Sequence, residues 1–327
     1  MRIYLVGGAV RDDLLGLRPR EKDWVVVGGY GDALIRQGYR SVGKDFPVFL
    51  HPLTGEEYAL ARKERKVAPG YGGFEFSTVP DVSLEEDLKR RDLTINAMAR
   101  DEQGRLIDPY QGLSDLQARR LRHVSEAFIE DPVRILRVAR FMARFKPMGF
   151  SVAHETMDLM AQMVASGEVD ALVPERVFAE LNKALSEAAP AAFFETLRAC
   201  GALNRLLPEI DALFGVPQSP RYHPEIDTGL HTLMALNQAS RLSKDPKVRY
   251  ATLLHDVGKG KTNPLRWPRH PGHEVRGLPL VQGLSRRLRT PVAYQRLAER
   301  VARYHGLAHR ALSLSPGATV DLLQRLD

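Results

Sequence analysis

The chain has a single cysteine, only two tryptophans and no long apolar run. One cysteine excludes an intrachain disulfide and any cysteine-based zinc cluster, and Cys200, set among apolar neighbours in a helical pattern, reads as a core residue. No apolar stretch approaches the roughly 20 residues needed to span a bilayer. The N-terminus runs directly into a strand pattern, without the basic segment and cleavage site of a secretory signal. No membrane partner and a cytoplasmic location are therefore expected. What remains is ordinary for a globular protein: 327 residues, 44% hydrophobic and 27% charged, enough for two or three domains with real cores. The formal net charge is +7, an excess that suits a polyanionic partner such as nucleic acid, and also serves solubility alone.

The most informative stretch is the first 28 residues. An apolar run, Ile3–Val6, reaches Gly7-Gly8; Arg11 follows, then Glu21 and Asp23, then a second apolar run, Trp24–Val27. This predicts two strands joined by a short helical segment. A Gly-Gly pair permits close backbone approach, and the next segment offers a helix N-terminus to an anion. Glu21 and Asp23 are two apart at a strand start, so period two puts them on one face. Two carboxylates aimed together repel unless a cation lies between them, and Mg²⁺ is the cation most suited to oxygen ligands and phosphates. The alternative is a surface strand opening with two solvated acids.

Further along, strands are expected at Val48–Leu50, Glu57–Ala61 and Leu106–Ile107. Between Ala61 and Asp81 a basic segment (Arg62, Lys63, Arg65, Lys66) runs into Gly70, Gly72 and Gly73, which predicts a loop over phosphates or a solvated excursion. Leu84–Arg100 reads as one or two helices, acidic early and basic late. It groups Arg90, Arg91, Asp92 and Asn96; the last two, four apart, would share a helix face and could bind a ribose hydroxyl and a phosphate. From Leu121 the pattern turns helical. In EDPVRILRVARF, Asp131 suits the N-cap and Pro132 the first helical position. Arg134, Arg137 and Arg140, spaced by three, form a row on an otherwise apolar helix. Phosphates are the natural partners for such a row, and a solvated basic face is the alternative. Residues 150 to 215 carry amphipathic helices with no identifiable chemistry.

GVPQSPRYHPEID, Gly215 to Asp227, reads as a linker. From its start onward lie seven of the ten histidines: His223, His231, His255, His270, His273, His305 and His309. In LLHDVGKG, His255 and Asp256 end an apolar helix and could ligate one metal, with His231 as a further ligand. A capping Asp beside a satisfied His is the competing interpretation.

LVGGAVRD, DWVVVG, DFPVFLHP, EEYALAR, DLKRRDLTINA, DPVRILRVARF, LLPEIDALFGVP, WPRH and LLHDVGKG together span nearly the whole chain. In these motifs the chain resembles the bacterial CCA-adding tRNA nucleotidyltransferases that carry an HD phosphohydrolase domain, within the polymerase-β-like superfamily. The resemblance implies an α+β nucleotidyltransferase head with a small mixed sheet (1–123), an all-α neck and body (124–214) and an all-α HD domain (215–327). It implies addition of C, C and A to the acceptor end of tRNA from CTP and ATP. Glu21 and Asp23 would hold Mg²⁺. Gly8, Arg11, Arg91, Asp92 and Asn96 would meet the nucleotide. Asp131 and Arg134 would read the base edge, with Arg137 and Arg140 extending that site. His231, His255 and Asp256 would hold a divalent transition metal, Ni²⁺ among the candidates, for phosphatase and 2′,3′-cyclic phosphodiesterase work. A monomer or homodimer is expected. The chain departs from the family at two points: Glu21 stands where the family usually has Asp, and the only acids after His305 are Asp321 and Asp327, where a distal HD aspartate is wanted. The chain stops within an apparent helix where such members continue, so either it is shorter than they are or its HD site is incomplete. A poly(A) polymerase of the same superfamily and a non-catalytic tRNA-binding protein are the alternatives.

Overall fold

A computed structural model describes residues 1–19, 21–42, 48–66, 74–77, 81–308 and 310–326. Two compact units emerge: Met1–Arg134 with Met148–Leu159, and Ile135–Pro147 with Met160–Asp327.

The first unit is built on a seven-stranded sheet. Its strands are β1 (Arg2–Val6), β2 (Asp23–Val27), β3 (Arg40–Val42), β4 (Val48–Leu50), β5 (Glu57–Leu60), β8 (Ala99–Arg100) and β9 (Leu106–Ile107), in the order β3-β4-β5-β2-β1-β8-β9. The β2–β5 pair is parallel and the other pairs antiparallel. Alternation divides the apolar residues between two faces. Tyr4, Val6 and Val25 pack with Leu84 and Leu88 of α3 (Leu84–Lys89). Val26, Phe49, Tyr58 and Leu60 pack with Leu34 of α2 (Gly31–Arg36). Between β1 and β2 lies α1 (Gly8–Leu14), and α4 (Gly112–Gln117) follows β9. A short parallel pair, β10 (Arg120–Leu121) and β11 (Ser151–Val152), completes the unit.

Two expectations need correction. The segment anticipated as a loop contains an antiparallel hairpin, β6 (Lys63–Lys66) with β7 (Phe74–Ser77); Gly70, Gly72 and Gly73 lie outside the described residues. The helix anticipated through Arg100 stops at Lys89. Leu93, Ile95, Ala97, Met98 and Ala99 are all fully buried, a run too uniformly apolar for a helix with one wet face. It forms instead a single 3₁₀ turn, Thr94–Asn96, that delivers β8 to the edge of β1. The start of α3 follows the sequence: Ser83 and Glu86 make a reciprocal capping box, with Glu85, Glu86 and Asp87 in the first turn.

Helix α5 (Val133–Phe145) begins in the first unit and continues in the second, as α6 (His154–Ala165) also does. The rest of the second unit is helical: α7 (Pro174–Leu185), α8 (Ala191–Ala199), α9 (Ala202–Leu206), α10 (Pro208–Asp211), α11 (Thr228–Leu242), α12 (Pro246–Leu254), α13 (His273–Arg287), α14 (Val292–Ala308) and α15 (Pro316–Leu326). Phe193, Phe194 and Tyr250 are among its fully buried side chains. Buried Arg249 donates to the backbone carbonyls of Leu185, Glu187, Ser240 and Ser243. It thereby satisfies the ends of α7 and α11, where a helix leaves carbonyls without intrahelical partners.

Candidate functional site

In the first unit, β1 runs into Gly7, whose φ of 69° favours glycine. Space imposes a second requirement, because a Cβ at Gly7 would lie 2.7 Å from the Arg91 Nη1. The turn is therefore pressed against a guanidinium. The Arg91 Nη2 donates to Asp87 at 3.3 Å, and its Nε is buried with no hydrogen-bond partner among the described residues. A buried, unsatisfied guanidinium donor beside a glycine turn and the start of α1 fits an anionic oxygen ligand. Asp87, fully buried, holds Arg90 at 2.8 Å as well. Burial alone would raise its pKa, but the Arg91 and Arg90 charges outweigh burial and keep the carboxyl below the usual range.

Strand register sets the acids. Val6 pairs with Asp23, so the first residue of β2 stands beside the end of β1 that leads into Gly7-Gly8. Asp23 and Glu21 are exposed, and β2 starts at Asp23. Strand alternation thus positions Asp23, while Glu21 lies in the preceding coil. Both side chains are oxygen donors of the kind that suits Mg²⁺, but the strand alternation expected to align them covers Asp23 alone.

Arg11 is 3% exposed and its guanidinium lies between Asp12, at 2.7 and 2.9 Å, and the Asn96 Oδ1. The Asn96 Nδ2 in turn donates to Asp92 at 2.9 Å, and that same carboxylate accepts from the Leu93 N–H at 2.8 Å. Asp92 and Asn96 meet as anticipated, though across a 3₁₀ turn and not on the face of an α-helix. Asp131 accepts from the Val133 N–H at 3.1 Å, capping α5. Arg134 donates to the carbonyls of Ala127 and Arg90, both at 2.6 Å. In the second unit Arg140 donates to Glu180 at 2.6 Å and its guanidinium lies over Phe141. For Arg140 the protein itself supplies the anion that the sequence pattern asked for. Arg137 shares the Phe141 ring at 5.9 Å. Gly8 opens α1, where a Cβ would meet Arg11 at ordinary contact distance.

The second unit holds a denser cluster. Asp256, 1% exposed, receives the Nε2 atoms of His255 and His273 at 3.1 Å and of His305 at 3.4 Å, with the His231 Nε2 at 3.9 Å. Lys259 donates to its Oδ2 at 2.7 Å. The four rings share one arrangement. The Nδ1 of His255 faces the Thr252 carbonyl at 2.6 Å, that of His273 the His270 carbonyl at 2.8 Å, and that of His305 the carbonyls of Val301 and Ala302 at 3.1 Å. The His231 Nδ1 faces Glu225 at 2.6 Å. Carbonyls and carboxylates only accept, so each Nδ1 carries its proton and each Nε2 is directed inward. The Nε2 atoms of His273 and His305 approach to 3.2 Å, and the Asp256 Oδ1 makes no well-formed hydrogen bond among the described residues. Converging lone pairs around a buried carboxylate need a cation, either protons on the rings or a metal, and this nitrogen-rich set fits a divalent transition metal. Burial alone would raise the Asp256 pKa; positive charge and donors from the surrounding histidines, when their Nε2 atoms carry protons, outweigh burial and hold it well below the usual carboxylate range.

His231, His255 and Asp256 are therefore brought together, within ligand reach of one another. His273 and His305 also join, which motif spacing does not reveal, because they come from α13 and α14. The distal aspartate sought in the sequence is not Asp321, which is exposed and pairs with Arg325 at 2.8 Å. His309 and Asp327 lie outside the described residues.

Comparisons with known proteins agree across the chain. Residues 3–122 match the family "Poly A polymerase head domain", 149–214 "Probable RNA and SrmB- binding site of polymerase A", and 228–325 "HD domain". The multifunctional CCA protein of Methylococcus capsulatus is 65% identical over 326 residues, 100% of this chain and 77% of that protein. A solved tRNA-processing enzyme, 25% identical, superposes with a TM-score of 0.67 over 100% of this chain and 80% of its own. A CCA-adding enzyme complexed with CTP, also 25% identical, gives 0.58 over 95% and 68%.

Proposed function

This chain belongs to the family of multifunctional CCA proteins, and from that premise we propose how its two centres divide the work. The enzyme adds C, C and A to the tRNA 3′ end from CTP and ATP, and its HD region is a second, phosphohydrolase centre. The observation that carries the first assignment is the register Val6↔Asp23, with Gly7 closed against Arg91 and the Arg91 Nε without a partner among the described residues.

Glu21 and Asp23 hold Mg²⁺, which when bound supplies Lewis-acid stabilisation of the transferring phosphoryl group. Arg91 binds the triphosphate through its unsatisfied Nε, beside the glycine turn at Gly7-Gly8 where the backbone lies close to the guanidinium. Arg11, Asp92 and Asn96, bonded to one another, hold α1 and the 3₁₀ turn in register with that turn. Asp131 and Arg134 select the base: a carboxylate accepts from the amino group that C and A share, and a guanidinium donates to a ring nitrogen or carbonyl. The second centre uses His231, His255 and Asp256, with His273 and His305, to hold a transition ion such as Ni²⁺, whose chemistry is activation of water toward a phosphoester.

A mixed CTP and ATP assay on tRNA lacking its CCA end tests the first centre. Incorporation of two CMP and one AMP is expected; sustained AMP tailing without CMP use overturns it. Asp23→Ala should lower incorporation about 100-fold or more while tRNA binding persists. Undiminished incorporation by that variant would remove the metal role.

A further inference from the structure

The second centre is enclosed by a set of polar contacts that extends beyond its ligands. Glu225, just before α11, presents one oxygen, Oε1, to three side chains: the His231 Nδ1 at 2.6 Å, the His223 Nδ1 at 3.4 Å and the Gln218 Nε2 at 3.4 Å. Buried Gln218, 2% exposed, turns its other amide atom to Lys259, whose Nζ lies 2.8 Å away. Lys259 donates to the Asp256 Oδ2 at 2.7 Å, and the His231 Nε2 faces that oxygen at 3.9 Å. The contacts close on themselves in the order Asp256, Lys259, Gln218, Glu225, His231, Asp256. Of the four inward-facing histidines, His231 has its outer nitrogen held by a carboxylate at 2.6 Å; those of His255, His273 and His305 face backbone carbonyls, with the Glu274 Oε2 also 3.5 Å from the His273 Nδ1.

The backbone at Glu225 carries the cost of this placement. The next residue, Ile226, has φ 59° and is 46% exposed, so no packing of its own explains a β-branched residue in left-handed space. Its carbonyl accepts from the Gln218 N–H at 2.8 Å, and the Asp227 N–H turns back to the Glu225 carbonyl. Strain beside a site is retained where the surroundings over-determine it, and here it brings Gln218 and Glu225 to the same ring.

We propose that Glu225 is the positioning residue of the second centre: through the ring with Gln218 and Lys259 it fixes His231 with Nδ1 protonated and Nε2 directed at Asp256, so that metal affinity depends on a carboxylate outside the ligand set. The proposal rests on reading the cluster as a metal centre. An outer carboxylate on a ligating imidazole sets its tautomer and orientation and raises its basicity, and losing such a partner costs about 10–100-fold in metal affinity.

The test uses the full chain stripped of metal and titrated with Co²⁺ alone against a competing chelator, reading both the dissociation constant and the visible d–d spectrum. Glu225→Ala should bind Co²⁺ about 10–100-fold more weakly with a shifted spectrum, while CCA addition, performed in the first unit, stays at the parent level and shows that the variant folds. Glu225→Gln keeps an amide oxygen as acceptor and should recover affinity to within a few-fold of the parent. Parent-like Co²⁺ binding by Glu225→Ala overturns the proposal. So does a Glu225→Gln variant as weak as Glu225→Ala, since the carboxylate would then be acting as a ligand itself. Failure of the underlying reading looks different: a parent chain without a Co²⁺ spectrum, or His255→Ala binding as tightly as the parent, removes the metal centre and the positioning role with it.

Discussion

At the scale of single residues, the first centre depends on contacts that composition does not display. Gly7 combines φ 69° with a guanidinium 2.7 Å from where its Cβ would be. Gly7→Ala should therefore displace Arg91 and raise the KM for CTP, with about 1–3 kcal/mol lost from the unfolding free energy by the backbone strain alone; a chemical melt alongside steady-state kinetics reads both. Asp87 is as demanding, being fully buried beneath two arginines. Its folded pKa is depressed, so its stabilising contribution is present above the ordinary carboxylate range and is lost as the pH falls through the folded value. Asp87→Ala should cost about 3–5 kcal/mol at neutral pH, as expected for breaking a buried pair. The gap between parent and variant should close on acidification below pH 4, as read by denaturant midpoints. A gap independent of pH would show that the loss is one of packing.

At the scale of elements, local signals succeeded where one segment settles its own fate. The capping box at Ser83, the strands Val48–Leu50 and Leu106–Ile107, and the cap at Asp131 needed only neighbours in sequence. Leu84–Arg100 did not yield to that treatment. Its second half is buried on every side, and burial by the sheet overrode helical periodicity after Lys89. The basic segment after Ala61 hid a hairpin for a related reason: alternation of charges and glycines carries no apolar signal, and only the pairing of Lys63–Lys66 with Phe74–Ser77 identifies strands. Arg249 acts at this scale too. Arg249→Met should lower the melting temperature of the HD-containing unit, because four backbone carbonyls lose their donor at once. Differential scanning calorimetry that finds no change would show that water replaces the guanidinium.

At the scale of the whole molecule, the two proposed centres differ in ligand chemistry. The first, as proposed, would offer the carboxylate oxygens of Glu21 and Asp23; the second would offer four imidazoles and one carboxylate. They should separate on metal removal. After chelation, Mg²⁺ alone should restore CMP and AMP incorporation and leave 2′,3′-cyclic nucleotide hydrolysis low, and a trace of Ni²⁺ should restore the latter. Equal recovery of both with Mg²⁺ would refute the division. The net charge of +7 places tRNA binding under ionic control, so affinity should fall steeply with salt.

Much of the identity of this protein was legible in its residues. A Gly-Gly turn, a Glu-x-Asp pair, the RRDLTINA segment and a His-Asp pair are short-range patterns, and the family resemblance they carry needs no tertiary contact to be read. Only tertiary structure could add His273 and His305 to Asp256, because helices from distant parts of the chain deliver them. The same holds for Glu180 as the partner of Arg140 and for the bond from Arg11 to Asn96. Each is a contact between residues whose sequence separation carries no information about distance, fixed by which buried faces pack together.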